Sequence, residues 1–264
     1  MSYLQAVILG IIQGLTEFLP VSSSGHLLMM RHWMGLGEIP VLFDVLLHVA
    51  TLIVVLVMFR KKVIELLASL FRWIARKTDE QDMKNMKLIA VILVAVFITG
   101  ILGLLISELN VGETPKVVFP LYLVTATLLW FTRKAKEGRE YRDLNFKDGI
   151  ITGVAQGIGV LPGISRSGIT ISAGLYRGFN RDVAAEYSFL ISIPAILGAL
   201  ILDMKDGVEL LNSISMSVIG VAFMAALISG FLALWMLVRL INSGKFYYFC
   251  FYLVPLGILG LIFF

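Results

Sequence analysis

Six long stretches of this chain carry almost no charge, and this limits its fold more than any other feature. They are Val41–Phe59, Leu88–Ile106, Val117–Phe131, Val183–Leu202, Ile214–Val238 and Phe246–Phe264. Each is near the length, about 20 residues, at which an apolar helix crosses a hydrocarbon core of about 30 Å. Inside such a core a helix satisfies every peptide group within itself. The chain is 58% hydrophobic and only 15% charged over 264 residues. A soluble domain is nearer half apolar and a quarter charged. The net charge of +4 is modest, and the basic residues sit in short loops between apolar runs. No basic stripe of the kind that binds nucleic acid is present, so nucleic acid is not an expected partner. The single cysteine, Cys250, lies in an apolar aromatic stretch and reads as a packing residue, as do the methionines. The expected class is an all-α integral membrane protein forming one domain over residues 1–264.

Two further apolar stretches do not read as simple spans. Residues 3–35 are interrupted by Pro20, Ser22, Ser23, Ser24 and Gly25, and residues 149–178 by Pro162, Gly163, Ser165, Arg166, Ser167 and Gly168. Each predicts a re-entrant helical hairpin, two half-helices joined at a polar tip. Such broken backbone is tolerated at membrane depth only where protein or a wet cavity surrounds it. The stretch is not read as a cleaved leader, since it lacks a basic start and carries Gln13 and Glu17. The two stretches align without gaps: GIIQGLTEFLPVSSSG from Gly10 matches GVAQGIGVLPGISRSG from Gly153. Gly10, Gln13, Gly14, Ser22, Ser24 and Gly25 fall on Gly153, Gln156, Gly157, Ser165, Ser167 and Gly168. Each copy precedes three of the predicted spans. The chain therefore reads as two repeats, 1–145 and 146–264.

Orientation follows from Lys and Arg. Of the 22, 18 fall on one side of a six-span arrangement, mostly in the loops Arg60–Lys87 and Arg133–Lys147. Arg31, Lys116 and Lys205 fall on the other side, and Arg166 is left inside. Those rich loops are expected in the cytoplasm and both termini outside. Three spans per repeat invert the second copy, so the hairpins enter from opposite faces and their tips meet near the midplane. Residues 63–74 place Val63, Leu66, Leu67, Leu70, Phe71 and Ile74 on one face, which predicts an amphipathic helix at the cytoplasmic surface.

Ionisable groups inside a membrane are costly and usually functional. Glu17 and Arg166 stand at the two tips, with His26 close by. Gln13 and Glu17 share a helix face four residues apart. They sit at a helix C-terminus, where a carboxylate and an amide oxygen suit a hard divalent cation. A polar packing pair in a kinked helix is the plainer alternative. Ser22, Ser23 and Ser24 open the next half-helix, whose free N–H groups bind phosphate well, although plain capping accounts for Ser22 or Ser24 alone. His26, three residues beyond Ser23, can activate it as a nucleophile, protonate a leaving group, or attack itself. At the second tip Gly163 permits close backbone approach, Arg166 offers a planar fork for phosphate oxygens, and Ser165 and Ser167 add hydroxyls. The alternative for Arg166 is a structural pairing that holds the hairpin. Asp44, His48 and Glu186, near span ends, read as interface hydrogen-bonding residues, and His32 as interfacial.

QGLTEFLPVSSSGHL and LPGISRSG resemble the two signature motifs of the undecaprenyl-diphosphate phosphatase family, also known for bacitracin resistance. The resemblance covers essentially the whole chain, including AAEYSFLISIPAILGA after the second motif. The family's Glu-or-Gln, three residues, Glu pattern falls on Gln13 and Glu17, with Glu in some relatives where this chain has Gln13. Its serine and histidine fall on Ser23 and His26, and its arginine on Arg166. The resemblance implies cleavage of a C55 isoprenyl diphosphate to the monophosphate and inorganic phosphate, with Mg²⁺ or Ca²⁺ as the divalent cation. It further implies recycling of the cell-wall lipid carrier at the outer, periplasmic face of the bacterial inner membrane.

Two functional readings result. In the first, an enzyme binds the lipid diphosphate with Arg166, Ser22, Ser24, Gly163, Ser165 and Ser167. Glu17, Ser23 and His26 then do the chemistry, with metal at Glu17 and Gln13. In the second, a transporter or flippase carries an isoprenyl phosphate lipid, since inverted repeats with broken helices also build transporters. A transporter has little use for Ser23 and His26 as nucleophile and base. The apolar outer faces allow a homodimer.

Overall fold

The computed structural model describes residues 1–37, 39–108, 115–203 and 214–263. The outer-side Lys205 of the orientation argument lies outside the described residues. The interrupted N-terminal stretch folds as α1 (Tyr3–Phe18) and α2 (Ser23–Trp33). Then come α3 (Val41–Met58), α4 (Arg60–Ile74), α5 (Glu80–Ser107) and α6 (Pro115–Phe131). The second interrupted stretch gives α7 (Phe146–Ile158) and α8 (Arg166–Tyr176). The chain ends with α9 (Arg181–Asp203), α10 (Met216–Asn242) and α11 (Cys250–Phe263), the last entered through a 3₁₀ turn over Phe246–Phe249. Among the described residues the only β pairing is an isolated bridge between Arg139 and Phe179.

Five helical segments are long and apolar enough to cross a membrane: Val41–Met58, Glu80–Ser107, Arg181–Leu202, Met216–Asn242 and Phe246–Phe263. The protein is therefore an all-helical, multi-pass membrane protein. The remaining expected span, α6, has 17 residues with Pro120 inside it. Large apolar side chains point away from the protein on these helices, among them Leu93, Phe97 and Leu104 on α5 and Leu232 on α10. In water such a surface would aggregate; in lipid it is already solvated.

Local sequence sets the breaks. Ser2 and Gln5 form a capping box that starts α1. The helix stops at Leu19, which precedes Pro20 and is extended at φ −60° and ψ 140°. Asn145 and Asp148 cap α7 in the same manner. Asp148 is fully buried and accepts from Arg139 at 2.6 and 3.0 Å and from Arg177 at 2.7 Å, which ties the start of α7 to the loop before it and to the end of α8.

The half-helices are held by small residues. α1 packs chiefly on α10, and α7 chiefly on α5. A Cβ on Gly10 would lie 2.2 Å from the Ala222 carbonyl oxygen, and one on Gly153 would lie 2.6 Å from that of Ala95. Close backbone approach is how helices associate where lipid offers no hydrophobic drive. A Cβ on Gly14 would meet Ser229 Oγ at 2.1 Å and the Ala226 carbonyl oxygen at 2.4 Å. Gly14→Val is therefore expected to destabilise the protein by about 1–3 kcal/mol, read as a lower thermal midpoint in detergent. Gly220→Ala on α10, where nothing lies within 4 Å, is expected to leave that midpoint in place. α3 packs against both α9 and α10, and α6 against α11.

The expected amphipathic helix is α4, and its polar side is not left to water. Asn85 Nδ2 donates to Ser69 Oγ and to Glu65 Oε1 at 2.9 Å each, and Arg72 Nε donates to Asp82 at 2.8 Å. Phe71 and Ile74 remain exposed on the other side, as an interfacial helix requires.

Candidate active site

The two interrupted stretches touch at their tips. The Gly163 N–H donates to Ser22 Oγ at 2.9 Å, and the same oxygen accepts from the Gly25 N–H at 3.4 Å to cap α2. Ser22 holds φ at +69°, a conformation that a serine rarely adopts and that such surrounding bonds must enforce. At the other tip Ser165 caps α8 by accepting from the Gly168 N–H at 3.0 Å, and Ser167 Oγ lies 3.2 Å from it. Ser24 repeats that relation with Ser22 at 3.4 Å. Gly163 has φ +99°, and a Cβ there would lie 2.5 Å from the Val118 carbonyl oxygen. Thr125 of α6 clamps this tip, donating to the Gly163 carbonyl and accepting from the Ser165 N–H at 3.2 Å each.

Glu17 occupies the junction. It lies at the end of α1 with only 4% of its side chain exposed. Its Oε1 pairs with Arg166 Nη2 across the two tips. Its Oε2 accepts from Ser23 Oγ at 2.7 Å and from Gln13 Nε2 at 3.2 Å, and lies 3.4 Å from His48 Nε2. The pair sits where water screens poorly, so each charge depends on the other. Two polar atoms beside it, Arg166 Nη1 and Gln13 Oε1, are buried with no hydrogen-bond partner among the described residues. A buried atom without a partner forfeits about 1–3 kcal/mol, which here leaves a donor and an acceptor free for a ligand.

Of the roles the sequence left open for His26, the one in which it reaches back to Ser23 has no hydrogen bond behind it among the described residues. Its Nδ1 donates to the Ser22 carbonyl at 2.8 Å and lies 3.2 Å from Tyr122 Oη. Its Nε2 accepts from Tyr252 Oη at 2.8 Å, and the Tyr252 ring stacks on it with centroids 5.8 Å apart. The structure thus joins Gln13, Glu17, Ser23 and Arg166 directly, and builds the tips from Ser22, Ser24, Gly163, Ser165 and Ser167. It connects His26 to Ser23 only through the backbone of α2.

His48 belongs to this cluster although its sequence reading was an interface residue. Its Nδ1 donates to the Asp44 carbonyl at 2.8 Å, one turn back on α3. Two polar residues at i and i+4 within an apolar span share one face, and that was the available signal. No local pattern marks Thr125, Tyr122 or Tyr252, which reach the tips from α6 and α11.

Gln13 Oε1 and the Glu17 carboxylate are hard oxygen donors one turn apart. Among the described residues no group of three or more His, Cys, Asp or Glu forms a metal cage. Two protein oxygens fit the mode in which Mg²⁺ takes few protein ligands and completes its shell with water and phosphate oxygens.

A buried carboxylate, a guanidinium and a hydroxyl between the two interrupted stretches define a membrane protein with an internal polar site. A family model described as bacitracin resistance protein BacA matches residues 6–259. The chain is 44% identical to an undecaprenyl-diphosphatase of Treponema denticola, covering 98% of this chain and 96% of the relative. It is 39% identical to an undecaprenyl-diphosphatase of Alkaliphilus metalliredigens, covering 100% and 99%. It is 37% identical to one of Borrelia recurrentis, covering 99% and 98%. The chain belongs to the bacitracin resistance protein BacA family.

Proposed function

We infer that this chain is a membrane hydrolase that cleaves undecaprenyl diphosphate to undecaprenyl monophosphate and inorganic phosphate. The observation that carries the reading is the single carboxylate of Glu17, which holds both the Arg166 guanidinium and the Ser23 hydroxyl. Nucleophile, base and phosphate clamp converge there. The names of relatives at 37–44% identity over nearly the whole chain support the same substrate.

In the mechanism the terminal phosphate displaces Glu17 from Arg166, whose planar fork then takes the phosphate oxygens. The released carboxylate accepts the Ser23 proton as Ser23 Oγ attacks the terminal phosphorus. The bond between that phosphorus and the bridging oxygen breaks, and the lipid monophosphate leaves. Water then attacks the phosphoserine, freeing inorganic phosphate and returning the proton to Ser23. N–H groups at the starts of α2 and α8 and the tip serines hold phosphate oxygens. The close Ser23–Glu17 contact favours Ser23 over His26 as nucleophile, and the Ser22 carbonyl and Tyr252 keep His26 as a support for the α2 tip. A divalent cation, held by Glu17 and Gln13 Oε1, would supply neutralisation of phosphate charge.

The packing supports a finer architecture of six spans and two re-entrant hairpins in an inverted repeat. α1 lies on α10 as α7 lies on α5, while α3 meets α9 and α6 meets α11. Exchanging the two repeats maps each of these pairs onto another or onto itself. Gly10 and Gly153, aligned in sequence, each meet an alanine carbonyl. Ser229 Oγ donates to the Ile11 carbonyl at 3.3 Å as Thr99 Oγ1 donates to that of Gly153 at 3.2 Å. The Lys and Arg distribution supports a topology with both termini outside, and a site that opens to the outer face completes this reading.

The test is phosphate release from detergent-solubilised undecaprenyl diphosphate. Release is expected with Mg²⁺ or Ca²⁺, with loss of at least about tenfold on chelation and recovery when metal is restored. No release by folded protein with lipid and metal supplied would overturn the reading and leave transport in its place.

A further inference from the structure

A cavity of about 160 Å³ lies against the site, between α2 and α3 and under Pro162 of the second tip. Ser24, Leu27, Leu28 and Arg31 line it from α2, and Asp44 and His48 from α3, so polar and apolar groups share the space. His48 joins it to the site, since Nε2 is 3.4 Å from Glu17 Oε2. Arg31 Nη2 pairs with Asp44 Oδ1, and the two side chains are 18% and 27% exposed. Among the described residues Arg31 Nε is buried without a hydrogen-bond partner, as is Arg166 Nη1 in the neighbouring site. Arg31 lines this space, and Arg166 lies beyond its His48 end, on the far side of Glu17.

A lipid diphosphate has two phosphates, and its terminal one goes to Arg166 in the mechanism above. The other is ester-linked to the isoprenyl chain, so its surroundings must be cationic on one side and apolar on the other. The cavity offers both, since Arg31 and, one turn back on the same face of α2, Leu27 and Leu28 all line it. We propose that Arg31 is a second phosphate-binding guanidinium, which leaves Asp44 to hold the lipid-linked phosphate while the first isoprenyl carbons lie against Leu27 and Leu28. This rests on the hydrolase reading for its substrate but not for its binding chemistry. The exchange of one anion for another keeps Arg31 paired throughout, as a half-buried guanidinium requires.

The plainer role for Arg31 is a tie between α2 and α3, and the two roles differ in what Asp44 does. As a tie, Arg31→Gln and Asp44→Asn are equivalent losses. As a phosphate ligand, Arg31→Gln removes the donor, whereas Asp44→Asn removes a competing anion. The experiment measures binding of undecaprenyl monophosphate, and separately of inorganic phosphate, to the full chain in detergent, with a thermal midpoint for every variant. Arg31→Gln is expected to weaken lipid monophosphate binding by at least about tenfold and to leave inorganic phosphate binding nearly unchanged. Asp44→Asn is expected to keep or tighten lipid binding, and Arg31→Lys to recover part of it. Equal weakening by Arg31→Gln and Asp44→Asn, or no change in either, would overturn the assignment. Lipid binding with this pattern but no phosphate release by wild type would refute hydrolysis and leave the Arg31 assignment standing.

Discussion

Glu17→Gln is expected to lower the turnover number for phosphate release by about 10²–10⁴, the range lost with a general base. Glutamine keeps the volume and one oxygen for Ser23, so the change isolates the charge and the proton-accepting function. Glu17 is the only carboxylate in contact with Ser23 among the described hydrogen bonds. The substitution also leaves Arg166 without its anion in the resting protein. The Arg166 side chain is 21% exposed, which lets water relieve part of that charge, so a modest drop in thermal midpoint should accompany a far larger drop in rate. Loss of fold with loss of activity would make Glu17 a structural anchor. Activity within about threefold of wild type would remove it from the mechanism.

Arg166→Lys is expected to cost about 10²–10³ in rate, as does loss of one donor that stabilises developing charge. Lysine preserves the positive charge and can still pair with Glu17, so the protein should fold. It lacks the planar fork, and Arg166 Nη1, buried and unpartnered in the resting protein, has no equivalent on an ammonium. If that second donor engages phosphate mainly as charge builds on it, the loss falls on the turnover number and much less on KM. A loss confined to KM would assign Arg166 to ground-state binding, the role that a transporter would need.

The two tips were legible in sequence because each carries a polar break in an otherwise apolar run, and because the breaks align. An inverted arrangement of the two stretches is what led to the expectation that Glu17 and Arg166 meet, and the two side chains do pair. Side-chain direction was less legible. His26 is one turn from Ser23, yet its ring follows Tyr252, which is 226 positions away in α11. No local pattern reports such a partner. His48 was undervalued because one histidine in an apolar span has a plain interfacial explanation, and only the fold brings it to Glu17. Helix limits erred where polar residues were read as loop. α5 begins at Glu80, not Leu88, because Asp82 and Asn85 are buried against α4 through Arg72, Ser69 and Glu65. The aligned glycines were visible as matches, but their cause, the carbonyl groups of Ala222 and Ala95, lies in the other half of the chain.

The most direct measurement of the central claim is hydrolysis of undecaprenyl diphosphate by the purified chain in ¹⁸O-labelled water, with mass analysis of both products. Attack at the terminal phosphorus predicts one ¹⁸O in inorganic phosphate and none in undecaprenyl monophosphate, with label incorporation lost in Glu17→Gln. Label in the lipid monophosphate, or no phosphate released at all, would contradict it.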